Sequence, residues 1–467
     1  HIVAFMNNKL DISTDKVNPN SKENPVVTGI SWFIDAIDTT KLIEPNRFAT
    51  LQTLFGPPLT PQAPMEQNSN SWNKVQLAPI GHTEKSAFHY YETAGNQIVD
   101  SLTRSSVRIG AVNWFGFDSS SFIAEGLMAR NYHSILEQTR SLGFNTVRIL
   151  WCNEMLLSRS QVTGVDFSLN PDLRALTPLQ CLDRIVQYAG SIGLRIILAR
   201  RSAQAGQADK ETLWYIPGDE YYTSQRFVMD WMAMAKRYEN SCVMAADLWD
   251  EPKTKAVGGE QSIGSSWAAE RDFSDWNQAA EGAGNAILTA SEQWLVVVQG
   301  IWDTAVGADR RFKSHGSDLS AVVRRPVALL APHKVVYAVK ECLCEGSECQ
   351  HSHVSPFPSD SLRERWYSHW SYLVTDHIAP VIVTTLGPIR SDEEALAGWV
   401  HYLNGYYHNA TINALHYDEQ PLSWASWSLS TQSTDTHSSS GIFESNWNTV
   451  DMSLMSPIRE AMAPRLL

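Results

Sequence analysis

Charged side chains stand at the ends of several predicted strands in this chain. Arg148 lies in a strand over residues 146–151, and Asp250 and Glu251 follow a strand over residues 243–248. Lys340 and Glu341 directly follow a strand over residues 334–339. A carboxyl group in such a place can give a proton and a carboxylate can take one, whereas a lysine or arginine beside it holds it ionised. The residue types therefore fit acid–base chemistry or a network of ion pairs.

The elements that must position these residues alternate regularly from about residue 96. Continuous apolar runs are typical of parallel strands that are buried on both faces, and apolar residues at helical spacing predict the helices between them. Strands are predicted at residues 107–112, 146–151, 194–198, 243–248, 294–298, 334–339, 381–385 and 423–427, and helices at 128–142, 181–190 and 227–238.

Eight strand–helix units over residues 96–467 predict an α/β fold, a (β/α)8 TIM barrel with long loops. In such barrels the chemistry lies at the carboxyl-terminal ends of the strands, where the charged residues stand. An open doubly wound sheet is the alternative, but no glycine-rich nucleotide-binding fingerprint supports it.

Residues 1–95 differ from the rest and predict an N-terminal extension of irregular and β character. They contain a polar stretch at 18–24, a proline-rich run at 56–61 and a stretch low in apolar residues at 67–73. Residues 26–37 are predicted to form one or two strands. This segment either wraps the barrel or reaches a neighbouring molecule, where strand addition would build an assembly.

The bulk composition describes an ordinary globular protein. Of the 467 residues, 43% are hydrophobic and 19% are charged. The net charge of -13 argues against nucleic acid and anionic membranes as partners, and no apolar run is long enough to span a bilayer. The 17 tryptophans suit stacking on sugar rings, although a large core uses them too.

Three weaker features indicate a secreted protein. The chain begins at His1, which suggests a processed or trimmed terminus; a copper-chelating terminal histidine is the alternative, with no evident second ligand. Asn409 begins a glycosylation sequon. The cysteine count is even, which permits disulfides in an oxidising compartment, and the six residues are Cys152, Cys181, Cys242, Cys342, Cys344 and Cys349.

Residues 342–353 bring three cysteines and two histidines together. This set could bind zinc, but its spacing matches no established zinc module, so a loop disulfide is the favoured interpretation. Cys152, Cys181 and Cys242 then form one further disulfide or none, and the rest are buried thiols. No cofactor and no metal are predicted.

Several segments of the chain form a recognisable series: residues 110–117 (GAVNWFGF), 142–148 (LGFNTVR) and 193–198 (GLRIIL), followed by Glu251 with Pro252 at a strand end. In sequence and in order, they resemble the cellulase-type members of glycoside hydrolase family 5. The resemblance runs from about residue 96 to about residue 462. It implies a retaining mechanism, in which one carboxyl group protonates the leaving oxygen and a second, about 5 Å away, attacks the sugar.

The resemblance implies a role for four of these positions. Glu251 corresponds to the acid/base, Arg148 to the arginine that steadies the nucleophile, and Trp427 to the tryptophan floor of the cleft. Thr385 stands where the nucleophilic glutamate belongs. Because a threonine cannot act as a carboxylate nucleophile, hydrolysis by the usual route is not expected.

Further positions depart from the family's pattern. Asp250 replaces the asparagine that holds the sugar 2-hydroxyl, Arg201 replaces a histidine, and Lys340 and Cys342 replace a histidine and a tyrosine. We therefore expect a salt-bridge network, in which Asp250 is the new anion beside Arg148. Arg201 and Lys340 would pair with Asp250, Glu251 or Glu341.

The first functional hypothesis is a secreted, non-catalytic protein that binds polysaccharide or oligosaccharide or has a structural role at an extracellular surface. The alternative is an active endo-β-glucanase with a displaced carboxylate, for which Glu251 and Glu341 are a conceivable pair. A weaker third is a metal-dependent oxidative enzyme that uses His1 or residues 342–353. A binding cleft predicts exposed aromatic rings at Trp114, Trp214, Tyr215, Trp302 and Trp427, whereas a structural role predicts a filled cleft.

Overall fold

The computed structural model describes residues 88–159, 161–254, 263–267, 273–302, 315–341, 364–386, 422–429, 441–459, 462–463 and 466. The predicted strands at 26–37, the Asn409 sequon and the cysteine- and histidine-rich residues 342–353 lie outside this part of the chain. So does nearly all of the predicted extension at 1–95, and the predicted division between 1–95 and 96–467 stays a prediction.

The strands of the described residues form three sheets, one of which is a closed barrel. In chain order they are β1 (Tyr91–Ala94), β2 (Gln97–Asp100), β3 (Ser106–Val107), β4 (Gly110–Phe117), β5 (Thr146–Cys152), β6 (Arg195–Ser202), β7 (Val243–Asp247), β8 (Leu295–Gln299), β9 (Ile301–Trp302), β10 (His315–Asp318), β11 (Val335–Glu341), β12 (Val381–Leu386) and β13 (Ser423–Ser426). The barrel runs β4-β5-β6-β7-β8-β11-β12-β13 and closes through parallel pairing of β13 with β4. The predicted TIM barrel is confirmed, and the open sheet is excluded.

Helices follow the strands of the barrel along the chain. The α-helices of the described residues are α1 (Tyr132–Ser141), α2 (Pro178–Ser191), α3 (Ser224–Arg237), α4 (Trp276–Ala290), α5 (Tyr372–Thr375) and α6 (Met452–Arg459). Helix α2 begins with a capping box of Thr177 and Gln180 and with Pro178 at its first position. This is the sequence pattern that satisfies the free N–H groups of a helix start.

A small antiparallel sheet, β1-β2-β3, packs against the barrel core. Tyr91 and Ile98 belong to one buried cluster with Ala111, Ile197 and other apolar barrel residues. The predicted strand at 107–112 is divided, because Val107 pairs with β2 whereas β4 starts at Gly110 and pairs with β5 and β13. The predicted boundary at 95/96 falls within the β1–β2 hairpin.

Part of the barrel interior is polar. Asn113, Arg148, Asp247 and Gln299 are each 0% exposed, and Thr384 is 1% exposed. Buried polar groups cost free energy unless they are hydrogen-bonded, so this layer must be internally paired. It lies beneath the strand ends at which the charged residues were predicted to meet. None of the described helices is long and apolar enough to cross a membrane.

Candidate functional site

Arg148 lies at the centre of the polar layer. Its Nε and Nη2 atoms donate to Oδ2 of Asp247 at 2.9 and 2.7 Å, and its Nη1 atom donates to Oδ1 of Asn113 at 2.8 Å. The Asn113 amide in turn donates to the carbonyl oxygens of Thr384 and Ser426, at 2.9 and 3.0 Å. The guanidinium is thus held from β4, β5 and β7 in one geometry.

Asp250 joins this arginine to Lys340. Arg148 Nη2 contacts Oδ1 of Asp250, and Lys340 Nζ donates to Oδ2 at 2.9 Å. The backbone N–H of Asp250 donates to the Arg200 carbonyl at 2.9 Å, which fixes the chain just beyond β7. The structure therefore places Asp250 as an anion beside Arg148, where the sequence led us to expect it.

Glu251 is held by a lysine on each of its carboxylate oxygens. Lys340 Nζ donates to Oε1, and Lys253 Nζ donates to Oε2 at 2.9 Å. Glu251 keeps 13% of its side chain exposed, whereas Lys340 and Lys253 are 4% and 0% exposed. Glu251 is thus the member of this set that faces the solvent-accessible side.

The charges fix the protonation of these groups. Burial alone raises the pKa of Asp250, but the Lys340 and Arg148 cations outweigh it and lower the pKa to about 2. Burial likewise opposes ionisation of Glu251, yet Lys253 and Lys340 bring its pKa well below the usual range. The two carboxylates raise the pKa of Lys340 against its burial. Glu251 is therefore ionised at neutral pH and suits a hydrogen-bond acceptor, not a proton donor.

Thr385 lies opposite Lys340 in the register of β11 and β12. Its side chain is 3% exposed, and its Oγ1 atom has no hydrogen-bond partner among the described residues. The preceding Thr384 donates to Oε1 of Gln299 at 3.1 Å, at an irregularity in the register. A hydroxyl becomes a nucleophile only with a base beside it, and none contacts Thr385 within the described chain.

Arg201 reaches the same group of charges from β6. Its Nη1 atom lies 3.9 Å from Oδ2 of Asp250, and its Nε atom lies 3.7 Å from Oδ2 of Asp118. Its guanidinium carbon lies 5.2 Å from the centre of the Phe115 ring and 5.3 Å from that of Trp427. This arrangement favours the cation through ring faces and carboxylates together.

The aromatic residues divide into two groups. Trp427, Tyr215 and Trp302 are partly exposed, whereas Trp114 and Trp214 are 1% and 5% exposed. The expectation of exposed rings at Trp114 and Trp214 is therefore wrong. Their indole N–H groups donate to the Glu125 carbonyl at 3.1 Å and to Oγ of Ser224 at 2.8 Å, which shows that both are packed inside the protein.

The proposed partnership of Glu251 with Glu341 stays a prediction. The backbone of Glu341 ends β11, but its side chain and Cys342 lie outside the described part of the chain. Cys152, Cys181 and Cys242 are buried free thiols, so none of them forms the further disulfide.

Four participants were not foreseen: Asn113, Asp118, Asp247 and Lys253. Asp247 and Lys253 flank the predicted pair Asp250 and Glu251 within seven residues, and Asn113 and Asp118 lie in or directly after the quoted segment 110–117. Their closeness to conspicuous motifs was the available signal. Their partners come from other strands, which spacing alone does not reveal.

A closed barrel of eight parallel strands, with charged residues gathered at the end of β11 and just beyond the end of β7, defines a TIM-barrel protein with a polar site at the carboxyl-terminal end of its barrel. Residues 104–433 match the family described as Cellulase (glycosyl hydrolase family 5). Because this match covers well over half of the sequence, the chain belongs to that family.

Similar proteins include several endoglucanases. An endoglucanase of Paenibacillus polymyxa is 31% identical over 388 residues, which cover 83% of this chain and 90% of that protein. The major extracellular endoglucanase of Xanthomonas campestris is 29% identical over 380 residues, covering 80% of this chain and 71% of that protein. A Pyrococcus horikoshii endocellulase variant in complex with cellotetraose has a TM-score of 0.66 and 27% identity, covering 81% of this chain and 100% of that one.

Proposed function

We propose that this chain binds β-glucan chains of the cellulose type across the carboxyl-terminal end of its barrel. Its family membership, its endoglucanase relatives and the cellotetraose complexes of its structural neighbours support this assignment. The observation that carries it is the position of Glu251. This carboxylate lies beyond β7, is 13% exposed, and shares Lys340 with the partly exposed ring of Trp427, whose centre is 5.2 Å from Nζ.

Hydrolysis of the glucan is the first candidate activity, because the relatives named above are endoglucanases. They favour this alternative over the non-catalytic function expected from the sequence. An ionised Glu251 would serve as a nucleophile or as a weak base, because the two lysines lower its pKa, so a separate proton donor is needed. Among the described carboxyl groups Asp118 fits best, since burial raises its pKa although Arg201 opposes the shift. Asp118 is also 13% exposed and lies beside Arg201.

Binding without hydrolysis is the second candidate, and it is favoured by a specific observation. Lys340 bridges Asp250 and Glu251, and Thr385 stands where the resemblance puts the nucleophile. In this version the substitutions have replaced catalytic groups with a buried ion-pair network, and the cleft retains only its affinity for sugar.

The two candidates are separated by measuring hydrolysis of soluble β-glucan together with calorimetric binding of cellotetraose. The native chain is compared with Glu251→Gln, Asp118→Asn and Thr385→Glu. Turnover that Glu251→Gln and Asp118→Asn each abolish would support hydrolysis by this pair. Binding without turnover in the native chain, with turnover appearing in Thr385→Glu, would support the non-catalytic candidate. The absence of both binding and turnover would contradict the proposed function.

We also propose that the chain acts outside the cell and that residues 1–95 mediate self-association. The first proposal is supported by the name of the Xanthomonas relative, major extracellular endoglucanase, and by the size of a polymeric substrate. The second is supported by the composition of residues 1–95, which lie outside the family match. If removal of residues 1–95 leaves the oligomer size unchanged in sedimentation, self-association through this segment is wrong.

A further inference from the structure

Lys253 is a fully buried lysine that contacts Glu251, the carboxylate that shares Lys340 with Asp250. Its Nζ atom donates to Oε2 of Glu251 at 2.9 Å and to the carbonyl oxygen of Ala208 at 2.7 Å. The Trp302 ring lies 5.2 Å from the same Nζ atom. A buried ammonium is expensive unless it is paired, so these contacts decide where the side chain can lie.

The backbone of Lys253 is fixed as firmly as its side chain. Trp302 N–H donates to the Pro252 carbonyl at 2.7 Å, and Thr254 N–H donates to the Trp302 carbonyl at 3.0 Å. Ser265 N–H donates to the Lys253 carbonyl at 2.8 Å. Pairing with β9 therefore sets the direction from which the ammonium approaches Glu251.

The carbonyl that receives the second hydrogen bond belongs to the loop after β6. In that loop, Glu211 accepts hydrogen bonds from the N–H groups of Ala203, at 2.7 and 2.9 Å, and of Gln204, at 3.0 Å. Glu211 also lies close enough to Lys253 for the lysine to favour its ionised form. Lys253 thus joins an ordered loop of the β6 end to a carboxylate of the β7 end.

We propose that Lys253 is a positioning residue, which fixes the orientation of the Glu251 carboxylate and ties it to the loop of residues 203–212. Lys340 donates to Oε1 and Lys253 donates to Oε2, and both ammonium groups oppose protonation of the carboxylate. Glu251 then accepts a hydrogen bond from a sugar hydroxyl or from an attacking water. This inference rests on the proposed function only in that Glu251 faces the sugar.

The groups that face Glu251 come from three elements. Lys340 approaches from β11, Arg201 from β6, and Lys253 and Asp250 from the segment after β7. Three are cations and one is an anion, so removal of one lysine leaves a weaker positive field at the carboxylate. The positive field at Glu251 should therefore weaken more in Lys253→Met than in a variant that lacks a lysine far from Glu251.

The test is a pH titration of Glu251 in the full chain, monitored by NMR of glutamate that is labelled at its carboxyl carbon. The signal is assigned by its absence in Glu251→Gln. We expect the midpoint in Lys253→Met to rise by about one pH unit or more, a tenfold change in proton affinity. Lys253→Arg should restore most of the native midpoint. Lys334→Met is the matched control, since Lys334 is also buried but donates to the Tyr91 carbonyl at 3.2 Å.

An unchanged midpoint in Lys253→Met would overturn the proposal. If that variant does not fold, the same substitution is made in Glu251→Gln, where no glutamate anion is left unpaired. Folding of the double variant alone would support the coupling, whereas failure of both would make Lys253 a purely structural residue and contradict the proposal. Neither measurement uses glucan. Failure to bind glucan would therefore contradict the proposed function but would not change the conclusion about Lys253.

Discussion

The Nζ atom of Lys340 lies 2.9 Å from Oδ2 of Asp250, and the two side chains are 4% and 0% exposed. This pair joins β11 to the segment after β7 across the mouth of the barrel. Arg148 contacts the other oxygen of Asp250, so one carboxylate is held between two cations. A buried ion pair is weak evidence for stability, but removal of one partner leaves an uncompensated charge.

Replacing Lys340 should therefore destabilise the fold. We expect Lys340→Met to lower the free energy of unfolding by about 3–5 kcal/mol, because Asp250 and Glu251 lose a shared cation. Urea denaturation at neutral pH measures this loss. Lys236→Met is the control: its ion pair with Glu239 is exposed, and the expected change is at most about 1 kcal/mol. Equal effects of both substitutions would contradict the buried network.

Asp250→Asn should change how stability depends on acid. The folded-state pKa of Asp250 is lowered to about 2, so its contribution is fully present above the ordinary carboxyl pKa, about 4, and is lost as the pH falls towards 2. Asp250→Asn lacks this titration. Between pH 4 and 2 its free energy of unfolding should fall less steeply than that of the native chain, as measured by urea denaturation at each pH. If the free energies of unfolding of the two proteins fall in parallel over this pH range, the lowered pKa of Asp250 is contradicted.

The two groups of tryptophans should respond differently to substitution. Trp427→Ala should weaken cellotetraose binding by roughly tenfold, about 1.4 kcal/mol, with a modest effect on stability, because its ring is partly exposed. Trp114→Ala should cost about 3–5 kcal/mol of stability, because its ring is 1% exposed. Calorimetry and urea denaturation on both variants check this. Loss of binding in folded Trp114→Ala with full binding in Trp427→Ala would reverse the assignment.

The thiols of Cys152, Cys181 and Cys242 should be inert in the folded protein. Burial raises the pKa of Cys152, and raises that of Cys181 and of Cys242 to about 12, so little thiolate forms. We expect a variant with serine at 342, 344 and 349 to react with a thiol-specific chromophore only in urea, at three equivalents. Fast reaction of any of the three thiols in buffer without urea would contradict their burial in the folded protein.

Much of the fold was predictable because the signals are local. Apolar runs buried on both faces located seven of the eight barrel strands to within four residues and the first, β4, only in part. The order of strands and helices was typical of a closed parallel barrel. The charged residues at the strand ends were equally visible, since Asp250, Glu251 and Lys340 directly follow apolar runs.

The complete set of partners of those residues was decided by the tertiary structure, although the pairing of Asp250 with Arg148 was expected from the sequence. Arg148 is bound to Asp247 as well as to Asp250, and Glu251 to Lys253 as well as to Lys340, because barrel closure brings side chains of distant strands to one axis. Whether a tryptophan is partly exposed or buried likewise depends on the side of the strand or loop that it occupies after closure, which separates Trp427 from Trp114. The sequence by itself therefore determined the barrel and the place of its charged end, whereas closure of the barrel determined which charges neutralise each other.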